Sequence, residues 1–233
     1  MTSGRMREES RTSGAAPRVF VVAMPCEAAC VTAHLRDCRV QTLFGRTVAE
    51  GYLDGRPAAV VTAGVGKTNA AAAAQLALAH YSPPLLYNIG VAGGLLPTMQ
   101  IGEIYSVAQA VEYDFDLSEI NGTEPGTLNE YRTPYLELSV DPQDRPRAAT
   151  LATGDHFTDN PAEHAFLGRF HAGLRDMEGA AIVHVCQTAG VACRMWKCVS
   201  DVAGRPEMTR QYKENRDRCL EILTDAVPGL HYV

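Results

Sequence analysis

Short apolar runs rich in β-branched residues alternate along this chain with stretches of helical composition, and most of the runs end in glycines or a polar residue. No other feature narrows the fold as much. Strands buried on both faces read as continuous apolar segments, and strands alternating with helices build one layered α/β domain. The run "VFVVAM", after Arg18, is a buried strand leading into a helix over 27–35. "RTVAEGYLDGRPAAVVTAGVG" holds two strands about Asp54–Gly55, a two-residue hairpin signal. After Gly66 the Ala-rich "KTNAAAAAQLALAH" is a helix that ends before Pro83. "LLYNIGVAGGL", "GEIYSVAQAVEY", "AATLATGD" and "RMWKCVSDVAG" are further strands, with helices over 177–188 and 209–226. The expected fold class is α/β, a single-domain three-layer fold with a mixed, twisted central sheet flanked by helices, spanning residues 18–233.

Two stretches fall outside the alternation. Residues 1–17, "MTSGRMREESRTSGAAP", are polar and without period, which predicts a flexible tail. Residues 116–147 are rich in Gly, Pro and Thr and read as long loops with one short strand. At 233 residues the chain can bury one large core. A net charge of −6 without a dense Lys/Arg run argues against nucleic acid and against anionic membrane surfaces as partners. No apolar run approaches the roughly 18 residues of a spanning helix, and the N-terminus lacks an apolar signal core. The seven cysteines match neither a zinc site nor a redox CxxC, so they are expected to be free thiols in a cytoplasmic protein that binds no metal.

In layered α/β domains ligands sit at strand ends, where loops gather. Glu27 follows the first strand, and "GVGK", "GVAGG", "TGDHF" and "SDVAG" follow others. "RDMEGAAIVHV" adds a puzzle, because on a helix Glu178 would stand in line with Ile182 and Val185, which should be buried. A buried carboxylate is costly unless it is paired or used.

Taken in order, "AMPCE", "GVGKTNAAAA", "NIGVAGGL", "GEIYSVAQAVEYDFD", "TGDHF", "DMEGAAIVHVC" and "VSDVAG" resemble the nucleoside phosphorylase and nucleosidase superfamily. The nearest group by resemblance is the bacterial 5′-methylthioadenosine/S-adenosylhomocysteine nucleosidases. Cleaving an N-glycosidic bond develops an oxocarbenium-like sugar, which needs hydrogen bonds to its hydroxyls, an activated water and protonation of the departing base. The resemblance makes Glu27 the water-activating base and Asp201 the acid beside purine N7, supported by Ser200. It makes Glu178 the acceptor for the ribose hydroxyls, with Met177 against the sugar and Asp176 nearby, a helix-start charge on the plainer reading. Phe157 would stack on the base, with Thr158 beside it at the purine edge, and Val91, Ala92 and Gly93 would line the site with their backbone.

Four positions depart from the family pattern. Pro25 and Cys26 precede Glu27 where relatives commonly carry acids, Lys197 stands where many have Arg, and Val91 replaces a hydroxyl. His156 is unusual beside Phe157 and is a reserve candidate for the acid. Val91 offers no donor to an oxyanion, and no arginine is evident near the glycine loops, so hydrolysis is expected rather than phosphorolysis. Neither loop has Walker A spacing, which argues against ATP. The expected activity is hydrolysis of a 5′-modified adenine nucleoside by a homodimer without cofactor. A purine nucleoside phosphorylase, a futalosine-type hydrolase and a non-catalytic nucleoside-binding protein are the alternatives.

Overall fold

The computed structural model describes residues 15–205 and 207–232. Their elements run β1 (Arg18–Val22), α1 (Pro25–Thr32), β2 (Arg36–Leu43), β3 (Arg46–Leu53), β4 (Arg56–Thr62), α2 (Lys67–Tyr81), β5 (Leu85–Gly94), β6 (Ile104–Glu112), α3 (Ser118–Asn121), β7 (Leu136–Glu137), β8 (Ala148–Thr153), α4 (Pro161–Leu167), β9 (Leu174–Asp176), α5 (Gly179–Thr188), β10 (Ala192–Val202) and α6 (Met208–Ala226). All but the last three residues of the expected tail lie outside the described residues.

The sheet is mixed and helices cover both faces, the architecture expected from the alternation. Its order is β10-β6-β8-β9-β5-β1-β4-β3-β2, and β10 also pairs with β5, so the half containing β5, β9, β8, β6 and β10 closes on itself. On one face the small side chains Ala70, Ala73, Ala74 and Ala77 let α2 lie close, beside Ile182 and Val183 of α5. On the other, Val31 of α1 and Leu220 and Leu223 of α6 pack over Phe20, Tyr87 and Trp196. β5 is buried along its whole length, which explains its unbroken apolar and glycine sequence.

α3, α4 and β9 stand where no such element is expected, and three further elements differ from the expectation. Residues 36–43 form β2, an edge strand exposed along nearly all its length, so it carries no apolar pattern to read. The first helix spans Pro25–Thr32 rather than 27–35. The helix expected over 177–188 begins at Gly179, because the Asp176 carboxylate accepts the Gly179 N–H at 2.9 Å and leaves Glu178 at the N-cap.

β5 is the element that opens a crevice. One edge pairs in parallel with β10 along the whole strand, whereas the other meets β1 only at Leu86 and Tyr87 and β9 only at Gly93 and Gly94. Beyond Tyr87, β1 and β5 part, and the gap opens at the carboxyl ends of β1, β5 and β10. Ligand sites of α/β sheets form at such divergence points.

Candidate active site

Glu27 lies in the first turn of α1, directly after β1, and is 3% exposed. Its Oε2 accepts the N–H groups of Ala23 and Met24 at 3.1 and 3.0 Å, and its Oε1 accepts that of Val91 at 3.0 Å. A Cβ on Gly90 would overlap this carboxylate, so the glycine is what lets Glu27 lie against β5. Burial pushes its pKa up, while Lys197 and the three N–H groups pull it back. The result is a dry carboxylate with a raised affinity for a proton.

Glu178, 8% exposed, accepts the Gly66 N–H at 2.9 Å across the crevice. Burial first, then Asp176, raises its pKa to about 7. Asp176 is spent on structure, accepting the Thr153 hydroxyl at 2.6 Å and the Gly179 N–H and pairing with Lys197 Nζ at 2.9 Å. Both partners of that ion pair are buried. Burial works against the Lys197 charge, but Asp176, Glu27 and Glu178 outweigh it and raise its pKa above the ordinary value. Lys197 is thus the central cation that lets three carboxylates share one dry site.

Asp201 is the penultimate residue of β10, after a bulge that shifts the register to β5 between Val199 and Asp201. It is 1% exposed. Its Oδ1 accepts the Ser200 hydroxyl at 2.7 Å, and its Oδ2 has no hydrogen-bond partner among the described residues. Burial raises its pKa, opposed by the Ser200 bond and by Arg175. A buried carboxyl oxygen without a partner, facing a crevice, is suited to hold a proton for something that enters.

Glu27, Val91, Ala92, Gly93, Phe157, Asp176, Met177, Glu178, Ser200 and Asp201 line one cavity, together with Ala23, Met24, Val65, Arg175 and Tyr212. The Phosphorylase superfamily model matches residues 17–228, and a 5′-methylthioadenosine/S-adenosylhomocysteine nucleosidase of Geobacillus kaustophilus is 32% identical over 197 residues, 79% of this chain and 84% of the relative. The chain belongs to the phosphorylase superfamily. A nucleosidase of the same description from Marinomonas is 29% identical over 83% of this chain and 90% of its own. The fold matches that of the Neisseria meningitidis enzyme of that name, in complex with methylthio-immucillin-A, at a TM-score of 0.83 and 18% identity, covering 91% of this chain and 97% of that one. It also matches futalosine hydrolase of Helicobacter pylori at 0.82 and 20% identity, covering 91% and 96%.

Against its superfamily pattern this member has features that the sequence reading missed. The expectation that no arginine stands near the glycine loops is corrected. A Cβ on Gly93 would meet Arg175 Nε at 3.1 Å, and one on Gly64 would meet Arg46 Nη1 at 3.6 Å. Arg175 is brought there by β5–β9 pairing across the fold, which no local spacing announces, and Arg46 by the β3–β4 hairpin. Tyr212 arrives on α6 and touches Phe157 edge-on, ring centres 5.6 Å apart. His156 points away from the cavity to Glu163, 2.9 Å from its carboxylate, with its side chain 63% exposed. Thr158 is not among the lining residues, and its hydroxyl accepts the Asn160 N–H at 3.1 Å. Asn160 then caps α4, whose Asn-Pro start was a readable signal.

Proposed function

We propose that this chain is a purine nucleosidase, hydrolysing the N-glycosidic bond of a 5′-modified nucleoside of the 5′-methylthioadenosine/S-adenosylhomocysteine type. The observation that carries the reading is the convergence of Glu27, Glu178 and Asp201 on one crevice, with Asp201 Oδ2 free for a ligand. Protonated Asp201 donates to N7 as the C1′–N9 bond breaks, and the electron pair of that bond leaves with the base as a neutral purine. Glu178 accepts the ribose hydroxyls and supports the positive charge growing at C1′, with Met177 beside the sugar. Glu27 takes a proton from the water that attacks C1′. Phe157 stacks on the base, and Ser200 orients Asp201. These side chains supply an acid, a base and an acceptor, so the reading assigns no cofactor.

Water, rather than phosphate, is the acceptor in this reading. Val91 has no side-chain donor, and a phosphate seated at C1′ would meet four carboxylates, Glu27, Asp176, Glu178 and Asp201, against the cations Lys197, Arg175 and Arg46. The test is release of free base from 5′-methylthioadenosine with and without phosphate, with the sugar product identified by mass. Free sugar at a phosphate-independent rate is expected. A sugar 1-phosphate that appears only with phosphate overturns hydrolysis in favour of phosphorolysis.

The same reading makes the protein a cytoplasmic homodimer. Its seven cysteines are free thiols, five of them buried, which suits a reducing compartment. Val65 and Phe157, on the cavity wall, are 50% and 45% exposed, which suits a partner surface at the mouth.

A further inference from the structure

Asp201, Gly93 and Arg175 are successive rungs across three strands. Gly93 of β5 stands opposite Asp201 of β10 on one side and Arg175 of β9 on the other. Cross-strand neighbours send their side chains to the same face, so the missing side chain of Gly93 leaves a slot between an acid and a cation. A Cβ there would come within 2.9 Å of Asp201 Oδ2 and 3.1 Å of Arg175 Nε. Arg175 is 6% exposed. Its terminal nitrogens are held by His164 Nε2 at 3.3 Å and by Met208 Sδ, and its guanidinium carbon lies 5.8 Å from the Phe157 ring centre. The Nε edge is therefore the part of the guanidinium turned to the slot, and a guanidinium can only donate.

The purine edge that carries N7 also carries the substituent at position 6. A 6-oxopurine presents two adjacent acceptors there, the pattern that arginine reads on guanine, whereas a 6-aminopurine presents an acceptor and a donor. We propose that Arg175 is a specificity-determining residue that donates to an oxygen at position 6, so that the crevice takes 6-oxopurine (inosine-type) nucleosides alongside the 6-amino ones. The inference rests on the purine nucleosidase reading and adds the class of base. Asp201 and Arg175 then supply matched donors to N7 and O6, while a 6-amino group leaves Arg175 unused.

The experiment compares kcat/KM for 5′-methylthioinosine and 5′-methylthioadenosine, identical except at position 6, on the protein and on Arg175→Gln. A glutamine amide can accept from an amino group, so the 6-oxo to 6-amino ratio is expected to fall at least about tenfold. Both rates dropping together with the ratio unchanged would make Arg175 a support for Asp201 and overturn the proposal. Calorimetry with free hypoxanthine and free unsubstituted purine reads base selection on the wild-type protein, whether or not the variant folds. Hypoxanthine is expected to bind at least about tenfold more tightly, and equal binding overturns the proposal. Selective binding of hypoxanthine without release of base from either nucleoside would sink the nucleosidase reading and leave this one standing.

Discussion

In the proposed mechanism Glu178 accepts the ribose hydroxyls as an anion, yet it is buried beside Asp176, and its pKa is raised to about 7 from the ordinary 4.5. The folded protein therefore binds a proton here at pH values where the unfolded chain has released it. For such a carboxyl the contribution to stability is fully present below about pH 4.5 and is lost as pH rises through about 7. Glu178→Gln keeps the shape and the acceptor for the Gly66 N–H but has no proton to release. Its melting temperature relative to wild type is expected to be more favourable at pH 8 than at pH 5. A difference that is flat across this range would mean that Glu178 is not the titrating group. The same substitution is expected to lower kcat at least about tenfold with a smaller change in substrate affinity, because the charge matters most as C1′ becomes positive. An equal loss in both would assign Glu178 to ground-state binding.

At the scale of elements, the carboxyl end of β5 does what no single residue does. Gly90 admits the Glu27 carboxylate, Val91 N–H binds it, and Gly93 leaves the slot between Asp201 and Arg175. The strand positions Glu27 and Asp201 by omitting side chains. Gly90→Ala is expected to push Glu27 off its donors and overpack the site, costing about 1–3 kcal/mol, read as a lower melting temperature. Activity should fall at least about tenfold with it, since a water-activating base works only within hydrogen-bond reach. Gly168→Ala is the control, because a Cβ there meets nothing within 4 Å. If Gly90→Ala is as stable and as active as this control, Glu27 is not held by β5.

For the whole molecule, the sheet carries a separate apolar cluster on each face, and the crevice opens where β1 leaves β5. Its mouth is edged by the exposed side chains of Val65 and Phe157, which a second copy would cover. Light scattering is expected to give a mass twice the 25.2 kDa of the chain. Dilution to the monomer should raise KM, because the mouth loses its cover. A monomeric mass at every concentration, with KM unchanged, would remove the dimer from the reading.

The alternation of strands and helices, the Asp54–Gly55 hairpin and the carboxylates at strand ends were legible in the sequence, because each is written in spacings of a few residues. The same spacings hid β2, whose exposed edge needs no apolar pattern, and set the start of α5 two residues early. That start depends on Asp176, whose hydrogen bond to Thr153 and ion pair with Lys197 join residues from three strands. Resemblance could point to Glu27, Glu178 and Asp201, but only the tertiary structure decided which cations stand beside them. Lys197 reaches its carboxylates, and Arg175 its slot, through sheet pairing between segments far apart in the chain. The local sequence fixes which way a backbone turns within a few residues. Which buried charge meets which is decided when the closed sheet brings those strands together and excludes the water that would otherwise solvate each of them.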